Sequence, residues 1–316
     1  MNHYDMRTEF AGQIVADFDA GRLPEHGDPA PVPPREAADL AWRVSDEERF
    51  RDVWTAFLDQ VDTSRVRALI FGAWGLPGDG EEDYPVPLLA EAADRFPALR
   101  ALFLGEIPPE MSEMSWIEHD DITPLLTVFP ALERLEVRGG AGLRLDPVRH
   151  DALRTLRFES AGLPAGVVRA VAASDLPALE HLDLWLGTAN QSGDATPADL
   201  AGLLDGTRLP ALRHLGLEDA EIADDLAAAL ASAPLVAHLE SLSLALGALS
   251  DPGAEALLTG QPLTHLRKLN LHHHYIGEPL TAKLRAALPG TDVDLSRPRS
   301  PSLVGDRAFR FIAVAE

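Results

Sequence analysis

The chain has 316 residues, no cysteine, 27 Lys and Arg against 50 Asp and Glu, and a formal net charge of −23. The absence of thiols excludes disulfides and cysteine-based zinc sites. The acidic balance argues against nucleic acid, whose phosphates need clustered basic groups, and no run approaches 18 apolar residues, so no membrane-spanning helix is expected. Met1–Asp5 carries neither a basic region nor an apolar stretch, so no cleaved leader is expected, and a cytoplasmic protein is the plainest reading. An acidic surface steers basic groups toward it, so a basic protein or peptide is the expected partner class, with no membrane partner.

In chain order, Glu9–Phe18 alternates and reads as a strand, and residues 21–36 form a Pro-rich loop. Leu40–Val44 is a second strand. Ser45 is placed to cap a helix over Asp46–Gln60, with Phe50, Val53, Trp54 and Phe57 on one face. Residues 1–63 then form an N-terminal cap, which a stack of repeats needs at its open end.

From residue 64 a pattern Leu-x-x-Leu-x-Leu recurs: Leu99-Leu102-Leu104, Leu132-Leu135-Val137, Leu153-Leu156-Phe158, Leu179-Leu182-Leu184, Leu212-Leu215-Leu217, Leu239-Leu242-Leu244 and Leu266-Leu269-Leu271. A degenerate copy precedes them at Val66-Leu69-Phe71, and the steps between copies vary from 21 to 33 residues. This is the leucine-rich repeat. Each copy is a short strand with its leucines turned into the core. An apolar anchor follows at Leu76, Leu163, Ile222, Leu249 or Ile276. Helices are expected at Pro164–Ser174, Pro197–Leu204, Ala223–Ala233, Pro252–Leu258 and Glu278–Leu288. Prolines 97, 130, 177 and 210 end the preceding segment and lead into the next strand. Strand and helix alternate, so the fold class is an α/β horseshoe with a parallel inner sheet and outer helices. Repeats over 64–296 are followed by a tail over 297–316. Asp292–Leu295 reads as a last strand, and Phe309–Val314 as one more strand closing the C-terminal edge. The ladder position that is Asn or Cys in many such repeats is Trp74, Ile107, Gly140, Ala161, Gly187, Ala220, Gly247 or His274 here, which predicts a less regular arc.

The repeats resemble the ribonuclease-inhibitor-like class of leucine-rich-repeat proteins. More closely, Ala41–Val44, Phe71–Gly75, Leu102–Ile107, Ser115–Ile117, Leu184–Gly187, Leu271–Tyr275 and Ile312–Glu316 look like a family of uncharacterised bacterial cytosolic leucine-rich-repeat proteins. That likeness covers nearly the whole chain and departs at Thr188–Gly193. Such proteins tend to be encoded near ATP-grasp and radical-SAM-type proteins, which implies an accessory role in a modification pathway.

Side chains alternate along a strand, so the residues between the leucines face the concave side. The candidate binding residues there are Phe103, Arg134, Arg138, Arg157, Glu159, His181, Asp183, Trp185, His214, Glu218, Lys268 and His272, with Trp74 and Trp116 on the rim. Trp and Arg are frequent interface anchors, so a non-catalytic protein- or peptide-binding scaffold is expected, without cofactor. A structural subunit of a larger complex is the other non-enzymatic reading. A metal-dependent enzyme is a further one: imidazoles bind zinc, copper or iron, and His272 and His274 share a side, with His181, Asp183 or His214 completing the set. The plainer reading makes these histidines hydrogen-bonding groups at a turn, with His274 in the ladder position. Glu106, Glu110, Glu113, Glu118, Asp120 and Asp121 around Trp116 read as a solvated acidic loop over the rim. No P-loop, no dinucleotide fingerprint and no nucleophile elbow occurs.

Overall fold

The computed structural model describes residues 6–18, 38–75, 84–305 and 307–315. The Pro-rich loop and the anchor Leu76 lie outside the described residues. A sheet of twelve strands runs in sequence order: β1 (Glu9–Phe10), β2 (Gln13–Asp17), β3 (Leu40–Val44), β4 (Ala68–Phe71), β5 (Ala101–Leu104), β6 (Arg134–Arg138), β7 (Thr155–Glu159), β8 (His181–Gly187), β9 (His214–Ala220), β10 (Ser241–Ser243), β11 (Lys268–Asn270) and β12 (Asp292–Asp294). Within this sheet, among the described residues, only the β1–β2 pair is antiparallel. The parallel sheet continues across residue 64, because β2 pairs with β3 and β3 with β4. The middle leucines stay in register from Leu69 through Leu102, Leu135, Leu156, Leu182, Leu215 and Leu242 to Leu269. A one-residue slip would turn them all away from the core, so burial fixes this register.

Helices cover one face of the sheet: α1 (Phe50–Gln60), α2 (Pro85–Glu91), α3 (Thr123–Val128), α4 (Ala165–Ala173), α5 (Ala201–Leu204), α6 (Ala223–Leu230), α7 (Asp251–Thr259) and α8 (Glu278–Ala287). One apolar core runs between them and the repeat leucines. The expected helices fall within a few residues of these bounds. The start of α1 differs. Ser45 does not cap it, because its hydroxyl accepts the Ala73 N–H of the next repeat at 2.9 Å. Asp46 Oδ1 accepts the Glu48 and Arg49 N–H groups instead, and the helix begins at Phe50.

The tail also differs. Phe309–Val314 adds no strand to the sheet edge. β13 (Ser302–Val304) and β14 (Arg307–Phe309) form a separate antiparallel hairpin, and the chain then turns back toward β9 and β10. The turn N–H groups are satisfied by mixed devices, only one of them, His274, standing at a ladder position. Ser160 Oγ accepts the Gly162 N–H at 3.0 Å, Asp224 Oδ1 accepts the Ser250 N–H at 2.7 Å, and His274 Nδ1 accepts the Ile276 N–H at 3.1 Å. Gly187 has φ +70, and a Cβ there would meet the Ala161 carbonyl, so only glycine fits.

Candidate functional site

The sheet face turned away from the helices, the inner face, carries the residues between the leucines in rows. One row is Ala68, Ala101, Arg134, Thr155, His181, His214, Ser241 and Lys268. The next is Arg43, Ile70, Phe103, Glu136, Arg157, Asp183, Gly216, Ser243 and Asn270.

The N-terminal end of this face is apolar and closed. The β1–β2 hairpin lays Phe10 on Ala41, Ala68, Ile70, Ala101 and Phe103, forming a cluster apart from the main core. The Phe10 and Phe103 rings lie 6.1 Å apart, and the Arg7 guanidinium stands 4.5 Å over Phe103. Phe103, expected as an open binding residue, is therefore fully buried. The chain covers it because an exposed phenylalanine on this face would leave about 2 kcal/mol of burial unrealised.

Arg7 ties this cover to a charge network. Its Nη2 reaches Glu136 Oε2 at 2.7 Å and Glu159 Oε1 at 3.4 Å, and its backbone N–H donates to Glu106 Oε1 at 2.9 Å. Arg43 donates to Glu106 Oε2 at 2.8 Å and to Asp17 at 2.7 Å. Glu106 is completely buried. It is an internal hub rather than part of a solvated acidic loop. Arg138 and Glu159, also expected in the open strip, are buried and paired at 2.8 Å. Burial opposes the Glu159 charge, but Arg157, Arg138 and Arg7 outweigh it and hold the carboxyl below its usual range.

The C-terminal ends of β8 and β10 are covered too. Trp185 is buried among Met114, Ala245, Leu246 and Val314, and its indole N–H donates to Glu218 at 2.9 Å. Met114 comes from the loop after β5 and Val314 from the tail. Asp219, in the left-handed region at φ 47, accepts the Ala313 and Val314 N–H groups at 3.1 and 3.0 Å. Burial pushes its carboxyl well above the ordinary range, partly countered by those two N–H groups.

Beside these covers, from β6 to β11, lies an open band. Arg134 and His181 side chains are 39% exposed, Arg157 27% and His214 20%, and Lys268 is exposed. Arg157 loses solvation, but Glu159, Asp183, Glu136 and Glu218 hold its guanidinium charged above the usual range. Asp183 sits beneath two stacked imidazoles with centroids 4.1 Å apart. His181 Nε2 lies 2.7 Å from its Oδ2 and His214 Nε2 2.9 Å from its Oδ1. Burial opposes the Asp183 charge, but these two hydrogen bonds pull its pKa below the usual carboxylate range. Glu218, half-buried, is raised by burial and by the Asp183 charge.

The three consecutive histidines do not form a metal-ligating set. His272 Nδ1 contacts Ser296 Oγ at 2.8 Å. His274 is buried, with Nε2 against the Leu295 carbonyl at 3.2 Å and Nδ1 taken by Ile276. With both its nitrogens used by backbone, His274 holds the repeat turn. On the rim, Trp74 lies edge-on to Tyr84 and tilted against His119, with ring centroids 5.8 and 5.4 Å away, while Trp116 is well exposed. They line a cavity of about 650 Å³ with Ile107, Ile117 and Arg144. Burial lowers His119 to about 4.

Sequence reasoning missed Arg7, Phe10, Arg43, Asp219 and Val314. One local signal was present: Gly216 interrupts the inner row, and a Cβ there would meet Asp183 Oδ1. A glycine inside a strand marks such a close approach.

A largely parallel sheet backed by helices, with Leu-x-x-Leu-x-Leu or its degenerate form recurring from β4 to β11, defines an α/β leucine-rich-repeat solenoid. A crystal structure of a Bacteroides fragilis protein shares this fold with a TM-score of 0.74 at 27% identity, covering 81% of this chain and 75% of that one. An internalin from Listeria monocytogenes aligns with a TM-score of 0.37 at 14% identity, over 83% of this chain and 75% of the other. No family model and no curated protein matches the chain. Among the described residues, no helix is long and apolar enough to cross a membrane.

Proposed function

We propose that the chain is a non-catalytic scaffold that holds a protein segment or peptide in the open band of its inner face, between β6 and β11. The observation that carries this reading is the sorting of charge. The band's carboxylates Glu136, Glu159 and Asp183 are buried and paired, whereas Arg134, Arg157 and Lys268 retain exposure. A segment lying there meets basic groups, so an acidic or carboxylate-bearing partner fits the band better than the basic partner suggested by net charge. Cap (1–63), repeats (64–296) and tail (297–316) then act together, the two ends covering what the partner does not touch. A cytoplasmic, accessory role in a modification pathway, as the family likeness implies, suits a scaffold that presents a bound segment.

The test is binding with full-length protein. A partner captured from the native host is titrated against wild type and against the Arg134→Ala, Lys268→Ala double variant. The reading predicts at least about tenfold weaker binding for the variant. Equal affinity would place the partner elsewhere.

A further inference from the structure

We propose that His181, Asp183 and His214 form a binding site for a divalent transition-metal ion of the zinc, nickel or iron kind, open to solvent on the inner face. The three residues each offer one ligand atom, and these atoms lie within 4.8 Å of one another. Two imidazoles and one carboxylate are a donor set that suits these ions. Around an ion bound at about 2.1 Å, neighbouring donor atoms stand roughly 3.0–3.4 Å apart. The His–Asp separations of 2.7 and 2.9 Å are already close to that, and the two imidazoles, stacked with centroids 4.1 Å apart, must tilt toward each other to share an ion.

Position supports the assignment. His181, Asp183 and His214 lie on adjacent parallel strands, β8 and β9, whose register is fixed by Leu182 and Leu215 in the core. Gly216 leaves the space that the Asp183 carboxylate occupies. Asp183 is 5% exposed, whereas both imidazoles have exposed edges. Ligands are thus anchored from below and the remaining coordination positions face the groove. The surrounding charge is compatible. Arg157, opposite Asp183 on the neighbouring strand, is drawn to another carboxylate, its Nε lying 3.1 Å from Glu159. Glu218 lies on the same side, held by Trp185 and Ser243. An ionised Asp183 only accepts, so each Nε2 carries a proton without metal. Metal binding moves that proton to Nδ1.

The test uses full-length protein stripped with a chelator and titrated calorimetrically with zinc and nickel, alongside proton–nitrogen NMR of the imidazoles. Wild type is expected to bind one ion, with the His181 and His214 signals changing from the Nε2–H to the Nδ1–H tautomer. Single His181→Ala and His214→Ala variants, folded by circular dichroism, should bind at least about 100-fold more weakly. His272→Ala should bind like wild type. Asp183→Asn should lose binding if it folds; the half-exposed histidine variants decide the matter if it does not. Absence of one-to-one binding, unchanged affinity in the His181 and His214 variants, or equal loss in His272→Ala would each overturn the site and leave a purely structural His–Asp–His triad.

Discussion

The two halves of the inner face share one backbone ladder and use it differently. In the N-terminal half, small and aromatic residues are covered by Phe10, and every carboxylate of the adjoining rows is engaged by an arginine. In the C-terminal half, the cover stops at Trp185 and Leu246, and a strip from Arg134 to Lys268 keeps Arg134, Arg157, His181, His214 and Lys268 in contact with solvent. The difference shows that the repeat supplies a surface, while the chain's own ends decide which part of it is available. Stability should therefore depend on the closed half and binding on the open one.

Removing Glu106 should have the largest effect. Arg43, 6% exposed, would lose its buried partner, at a cost of about 3–5 kcal/mol in urea melts of Glu106→Ala. Phe10→Ala should cost about 3 kcal/mol and raise the binding of a hydrophobic dye, because Ile70 and Phe103 lose their cover. Stability should also fall in acid through His119. Its folded pKa of about 4 lies below the unfolded 6.5, so the unfolded chain takes up the proton first. The contribution is complete above pH 6.5 and is lost as pH falls toward 4, by roughly 3 kcal/mol. In His119→Gln this slope should become shallower, whatever the baseline stability, the remainder coming from His272, His273 and His274, which burial also lowers. Asp183, depressed below 3.8, gives up its contribution only below about pH 4. Val314→Ala should cost about 1.5 kcal/mol by loosening the tail over Trp185. Lys268→Ala, on the exposed band, should change stability by less than about 0.5 kcal/mol. A Lys268 effect as large as that of Glu106 would erase the distinction between the halves.

The scaffold was legible because its information is local. The leucine spacing placed β4 to β11, and Asp292–Leu295 was readable as β12. The rows of inner residues followed from side-chain alternation alone. Their accessibility did not, because it depends on contacts remote in sequence. Arg7 bonds Glu106, Glu136 and Glu159 across 99, 129 and 152 residues, and Val314 bonds Asp219 across 95. No local pattern in Met6–Phe10 marks a cover. For the same reason Phe103, Arg138, Glu159 and Trp185 looked open, and Glu106 looked solvated. His274 was readable as a ladder residue because the position alone assigns it.

The most direct measurement exploits the absence of cysteine. Single cysteines are introduced at Thr155 and Ser241, on the open band, and at Ala68 and Ala245, beneath the two covers. Their reaction with a maleimide is timed in the folded protein. Thr155→Cys and Ser241→Cys should react at the rate of a free thiol, and Ala68→Cys and Ala245→Cys at least about 100-fold more slowly, limited by local opening. Equal rates at all four positions would contradict the self-covered inner face.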